Sequence, residues 1–298
     1  MFRKIVDIID DRNLLNFLPD SFYLKLRYYV ETGKKLNLKN PSTYDEKLQW
    51  LKLYDRNENY SNLVDKASVK NIVKKKIGKE YVIPTLQICD KFEQIDFDKL
   101  PNSFVIKCTH DSGGLIVCKN KKDLDISFVK NKINKCLKKN YYKYRREWPY
   151  KNIKPRIIIE KFISGLDGSN MLDYKFMCFN GKVEYLFLDV GVIDNQSGGH
   201  AHEYYRNIYS KEFELLDVIE TRSNTPYEIK KPKNYDKMVS IAEKLSAGLK
   251  HVRVDLYNVD GKIYFGEMTF YHGSGYNNFF PKEYEKILGD LIHIETRK

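Results

Sequence analysis

The spacing of apolar residues changes character along the chain, helical at first and strand-like from about residue 81. Thr43-x-x-Glu46 reads as a capping box, with Leu48, Leu51 and Tyr54 following at helical spacing toward Arg56-Asn57. A second helix is predicted from Asp65 as N-cap through Val69, Ile72, Val73 and Ile77 to Gly78, with Lys66 in its first turn. Strand signals then begin: Tyr81-Val82-Ile83, Phe104 to Cys108, Leu115 to Cys118, Arg156 to Ile163, and Asp173 to Phe179. Asn180-Gly181 predicts a tight hairpin turn pairing Lys182 to Val190 back onto the last of these. Between them, Asp125 to Lys139 reads as a helix with Phe128 or Val129, Ile133, Cys136 and Leu137 inward. Ile193 to Arg206 has the Gly, Ser, Asn and His content of a loop. A helix near Tyr235 to Ala247, an acidic hairpin and a short helix after Pro281 complete an α+β pattern.

The acidic hairpin carries the most chemistry. Asp255 lies in the run His251 to Tyr257 and Glu267 in Ile263 to Phe270, each among apolar and aromatic neighbours. Buried carboxylates need a cation, and hard oxygens suit Mg²⁺. The turn decides whether they meet, because side chains alternate along a strand. A two-residue loop Asp260-Gly261 would point them apart. A three-residue loop Val259-Asp260-Gly261, with Gly261 left-handed, would gather Arg253, Asp255, Glu267 and Thr269 on one face. From these strands alone, two solvated carboxylates remain an equal reading.

Composition bounds the alternatives. The 298 residues, 42% hydrophobic and 14% aromatic, are enough for one large core or two modest ones. No stretch is long enough to span a membrane, and the opening MFRKIVDIIDDRN turns charged too early for a signal peptide, so a soluble cytoplasmic protein is expected. Five scattered cysteines with no CxxC or Cys/His spacing indicate neither a disulfide scaffold nor a structural zinc. A net charge of 52 − 40 = +12 favours anionic partners, although the lysines are spread along helical faces.

Other residues fit an anion site. Lys107 ends an apolar strand and is followed by Cys108-Thr109-His110-Asp111-Ser112-Gly113-Gly114, a loop able to turn amides onto phosphate but not a P-loop. Snorkelling to the surface explains Lys107 equally well. Glu160 with Lys161, Phe162 and Ile163 could present a carboxylate and backbone groups to a planar ring, or form a solvent rim. Asp173 and Lys175 share a strand face and suit a ribose and a phosphate, or a plain ion pair. His200, His202 and Arg206 are spaced for a binding loop.

In order, LVDKASVKNIV, LPNSFVIKCTHDSGG, YKNIKPRIIIEKFI, DYKFMCFNGKVEYLF and VRVDLYNVDGKIYFGEMTF resemble the ATP-grasp superfamily, and within it the teichuronopeptide-biosynthesis (TupA-like) family, over nearly the whole chain. The resemblance implies an ATP-grasp fold of two α+β subdomains clasping ATP: a helical region at 1–80, a lid subdomain at 81–160, and a C-terminal subdomain with the metal site at 161–298. It implies ATP and Mg²⁺ as cofactors. Lys66, Lys107 and the loop with Ser112, Gly113 and Gly114 would meet phosphates. Glu160 and Lys161 to Ile163 would hold adenine, Asp173 ribose, and Lys175 would face the phosphates. Asp255 and Glu267 would bind metal, Arg253 and Lys107 would act in catalysis, and His200, His202, Arg206 and His272 are candidate substrate contacts. Thr269 departs from the asparagine common in such ligases, which puts its share in the metal site in doubt. The implied reaction joins a carboxylate to an amine through an acyl phosphate. The carboxylate would be a uronic acid of a surface or capsular polysaccharide or its precursor. A kinase built on the same site is the alternative, followed by a glycosyltransferase or a basic nucleic-acid-binding protein. Against the last, no basic arm or RNP-like strand is present, so no nucleic-acid partner is expected.

Overall fold

Thr43 opens its helix as the spacing predicts: its hydroxyl accepts from the Glu46 amide at 3.3 Å while Glu46 reaches back to the Thr43 amide at 3.2 Å. The computed structural model describes residues 2–12, 14–111, 114–164, 172–192, 201 and 203–295. Its helices are α1 (Phe2–Asp11), α2 (Asp20–Thr32), α3 (Tyr44–Tyr54), α4 (Tyr60–Val64), α5 (Val69–Lys76), α6 (Ile126–Leu137), α7 (Tyr235–Ser246) and α8 (Tyr284–Asp290). None is long and apolar enough to cross a membrane. The helix expected from Asp65 starts later, at Val69. Asp65 still accepts from the Ala67 and Ser68 amides at 2.8 and 3.0 Å, so Lys66 sits in the turn before α5.

The strands are β1 (Thr85–Cys89), β2 (Phe104–Cys108), β3 (Ile116–Cys118), β4 (Ile157–Lys161), β5 (Asp173–Phe179), β6 (Lys182–Val190), β7 (Tyr205–Ser210), β8 (Ile219–Glu220), β9 (His251–Val259), β10 (Lys262–Thr269) and β11 (Phe279–Phe280). Tyr81 closes a 3₁₀ turn instead of starting a strand. The strand lies four residues on, at β1, whose Leu86 and Ile88 are exposed on a sheet edge. Arg206, placed in a loop by composition, belongs to β7 and is buried.

β1, β4, β2 and β3 form one antiparallel sheet in that order. Alternation divides its residues: Phe104, Ile106, Cys108, Ile157 and Ile159 pack with Val129, Ile133 and Cys136 of α6, and Phe128 points outward. The opposite parity sends Lys107 and Glu160 to the other face.

β10, β9, β5, β6 and β7 form the second sheet. Its even-numbered positions Val252, Val254, Phe176 and Cys178 belong to the large core that α7 completes with Met238, Ile241 and Leu245. Each such buried side chain contributes roughly 1.5–3 kcal/mol. The odd-numbered face is split. At one end the α3 residue Tyr44 covers His251 and Phe179. Its hydroxyl bonds His251 Nε2 at 2.9 Å, and His251 Nδ1 donates to the Cys178 carbonyl at 2.9 Å. The rest of that face carries charged residues.

The β9–β10 turn differs from the expected three-residue loop. Val259 pairs with Lys262, leaving Asp260-Gly261 as a two-residue loop with φ of 50° and 80°. That turn alone would send Asp255 and Glu267 to opposite faces. A β-bulge between Phe265 and Glu267 absorbs Gly266 and restores the match, so Glu267 pairs with Asp255 and Thr269 with Arg253. A bulge in β6 likewise lets Asp189 pair with Asp173, since Met177 pairs with Tyr185 and Cys178 with Val183.

Gly266 is where this register is open to test. A Cβ there would stand 3.1 Å from the Asp255 carbonyl oxygen and 3.1 Å from the Tyr257 ring. Gly266→Ala is therefore expected to cost about 1–3 kcal/mol of unfolding free energy in urea titrations. Unchanged stability would mean the strands have room to spare.

Candidate active site

Cross-strand pairing turns the charged face into a grid. Glu267, Asp255 and Lys175 follow one another across β10, β9 and β5; Tyr257, Asp173, Asp189 and Arg206 do so across β9, β5, β6 and β7. Arg253 grips Asp255 with two bonds, Nε to Oδ1 and Nη2 to Oδ2, both at 2.7 Å. The same Nη2 reaches Glu267 Oε1 at 3.0 Å, and Lys175 Nζ reaches Asp255 Oδ2 at 3.1 Å and also bonds Asp173. Burial pushes the Asp173 carboxyl up to about 6 despite Lys175, with Asp255 and Asp189 adding to the rise.

Above this grid lies a cavity of about 320 Å³, closed from the other side by Lys66, Lys107, Cys108, Asp111, Gly114 and Leu115. Lys66 donates to the Asp111 carbonyl at 2.5 Å, and its Nζ lies 4.0 Å from Glu267. The Glu267 side chain is 39% exposed and opens onto the cavity. Burial opposes its charge, but Lys66, Arg253 and Lys175 hold its carboxyl at about 2.

A smaller apolar pocket of about 80 Å³ adjoins it, sharing Lys107, Leu115 and Tyr257 and lined further by Ile83, Val105, Val117 and Glu160 to Ile163. Its floor is one ion cluster. Glu160 Oε2 meets Lys107 Nζ at 2.8 Å, its other oxygen meets Lys70, and Lys70 donates to the Ile83 carbonyl at 2.7 Å. Burial alone would raise the Glu160 carboxyl; Lys107 and Lys70 hold it at about 2.

The structure therefore brings together Lys66, Lys107, Gly114, Glu160, Lys161, Phe162, Ile163, Asp173, Lys175, Arg206, Arg253, Asp255 and Glu267 around two joined pockets. Thr269 and His272 sit one layer back. The Thr269 hydroxyl donates to Glu267 at 3.3 Å. His272 is buried behind the arginines, Nδ1 accepting from Arg253 at 3.0 Å and Nε2 lying 3.8 Å from Glu220. Arg206 Nη1 also lies 3.5 Å from Nε2, and burial lowers the His272 pKa, which keeps the ring neutral between the two arginines. Ser112, Gly113, His200 and His202 lie outside the described residues. Sequence reasoning passed over Asp189, Glu220, Lys70 and Tyr257. A lone acid ending the apolar run Leu186 to Leu188 was the available signal for Asp189. Asp189 holds Arg206 by two bonds of 2.6 and 2.7 Å, and Glu220 bonds Arg206 as well.

The large cavity is lined by five basic and five acidic side chains, so it is close to charge balance. A polyphosphate entering it would bring uncompensated negative charge, and the two hard carboxylates Asp255 and Glu267 on one face provide a place for a divalent cation to offset it. The donor set thus fits a divalent cation such as Mg²⁺, which Asp255 and Glu267 would hold.

The family model described as TupA-like ATPgrasp matches residues 46–293. Among solved structures, the chain is similar to a D-alanine–D-alanine ligase from Bacillus anthracis complexed with ATP, at 18% identity over 70% of this chain and 54% of that one, with a TM-score of 0.39. It is similar to an L-amino acid ligase from Bacillus licheniformis at 14% identity, covering 87% and 57%, with a TM-score of 0.48. A D-alanine–D-alanine ligase from Helicobacter pylori shows 14% identity, coverage of 87% and 69%, and a TM-score of 0.46. The chain thus spans little more than half the length of the first two. No curated protein matches it significantly.

The Glu160 cluster gives a stability test. A carboxyl whose folded pKa of about 2 lies below its unfolded value contributes stability at neutral pH and loses it as pH falls. The loss runs from about pH 4.3, the unfolded value, toward pH 2. Glu160→Gln should remove this component of acid unfolding and, by leaving Lys70 and Lys107 facing each other, cost roughly 3–5 kcal/mol at pH 7. Urea titrations at pH 7 and pH 3 measure both; equal losses at the two pH values would refute the pairing.

Proposed function

Because the chain belongs to the TupA-like ATP-grasp family, and so has the α+β ATP-grasp fold expected of it, we propose that it is an ATP- and Mg²⁺-dependent carboxylate–amine ligase. The observation that carries this reading is the single face on which Asp255 and Glu267 meet, opposite Lys66 and Lys107 and beside an apolar slot. The slot suits adenine: Val105, Val117 and Ile83 provide aliphatic walls, and Glu160 with the Lys161 to Ile163 backbone provides its polar edge. Lys107 stands where the two pockets join and so reaches phosphates leaving the slot.

Phosphoryl transfer asks mainly for positioning and charge neutralisation. Bound Mg²⁺ would neutralise and orient the phosphates at Asp255 and Glu267. Arg253 and Lys107 supply fixed donors around the transferring group, and Lys66 holds the Asp111 loop near it. The γ-phosphoryl passes to a substrate carboxylate, ADP leaves, and an amine then displaces phosphate to give the amide. No protein nucleophile is needed. The carboxylate we infer is a uronic acid of a surface or capsular polysaccharide or its precursor, which agrees with the +12 net charge. Arg206, at the cavity wall with Tyr204, is the cation we assign to the substrate.

Asp255→Asn and Glu267→Gln are expected to abolish ATP turnover with the circular dichroism spectrum unchanged; wild-type turnover in either would remove the metal assignment. Lys107→Ala should raise the ATP dissociation constant by at least about tenfold, the loss of one charge-assisted contact. Mass spectrometry with Mg-ATP, a panel of uronates and a panel of amines tests the reaction itself. Amide product with ADP is expected, whereas phosphate retained on a sugar without amine would make the protein a kinase.

A further inference from the structure

We propose that Cys108, Asp111 and Cys136 form a zinc site at the root of the loop that leaves β2, distinct from the Asp255–Glu267 pair. Spacing along the chain hides this group, because Cys136 belongs to a different element from the other two. Packing assembles it: Cys108 ends β2 on the face covered by α6, Cys136 lies in the last turn of α6, and Asp111 is carried back over them by the loop. One ligand atom from each lies within 4.8 Å of the others, and the three residues are buried.

Within the group the carboxylate meets thiols and not a cation. Asp111 is 3% exposed, yet no ion pair to its carboxylate is found among the described residues, since Lys66 meets its backbone carbonyl instead. A carboxylate buried beside two thiols, with no ion pair of its own among the described residues, is costly to keep without a ligand. Two sulfurs and one oxygen suit a borderline-soft ion such as Zn²⁺ and do not suit Mg²⁺. Cys108 and Asp111 also line the large cavity, which gives an entry path and leaves a fourth coordination position for water.

On binding, each thiol releases its proton to solvent. Two thiolates and one carboxylate then surround Zn²⁺ with a net charge of −1, next to Lys66. The ion would tie the loop to α6, and with it the Asp111 carbonyl that Lys66 holds.

Cobalt titration of the full chain provides the test. One equivalent of Co²⁺ should produce a thiolate-to-metal charge-transfer band that Zn²⁺ abolishes, and Cys136→Ser should weaken zinc binding by at least the on-the-order-of 10–100-fold seen on loss of an outer-shell partner. Asp255→Asn should leave the band and the zinc affinity unchanged, which separates this site from the proposed Mg²⁺ position. No charge-transfer band in the wild-type chain overturns the proposal, whatever the folding of the variant. So does a zinc affinity that Asp255→Asn reduces and Cys136→Ser does not.

Discussion

The register of one hairpin governs the site. With a two-residue turn, same-face partners on β9 and β10 cannot include both Asp255 and Glu267; one additional residue in β10 reverses that. Gly266 supplies it where a Cβ would crowd the Asp255 carbonyl and the Tyr257 ring. Everything else depends on this alignment: Arg253 bridges the two acids because they are cross-strand neighbours, and Lys66 can approach Glu267 because its carboxylate faces the first sheet. The β6 bulge repeats the device one hairpin away and brings Asp189 against Asp173.

The N-terminal helices belong to the same construction. α3 fills the end of the charged face that the first sheet leaves bare, Tyr44 meeting His251, Phe179 and Phe279. Burial lowers the His251 pKa to about 3, so this ring stays neutral and its two hydrogen bonds keep fixed roles. At the other end of that face His272, its pKa also lowered by burial, stands between Arg253 and the core ring of Phe187.

Much of this was legible in the sequence. The capping box, the Asn180-Gly181 turn, the α6 stripe and the order of the charged positions all signalled what the structure holds, because each is a local pattern with a local cause. What escaped was non-local or atypical. β1 is short, and although Thr85, Leu86, Gln87 and Ile88 alternate, its apolar Leu86 and Ile88 lie on an exposed edge, so the pattern does not mark a core face. Arg206 follows a Gly- and Ser-rich stretch, yet pairing with Asp189 and Glu220 makes it core. The bulges leave no periodic trace. A sharper rule is available in parity: two acids that face each other across a two-residue turn at an even separation, as Asp255 and Glu267 do, require an odd number of bulges between them.

The two-bond grip of Arg253 on Asp255 has a consequence for the order in which partners arrive. An ion reaching Asp255 alone must evict a guanidinium that is already desolvated and paired, so the bare cation competes against the protein's own charge. A phosphate arriving with it offers Arg253 a new bidentate partner at the moment the carboxylate is released. In a ligase of the proposed kind, the resting site would thus favour a metal–nucleotide complex over either component, and its affinity for each would be raised by the presence of the other.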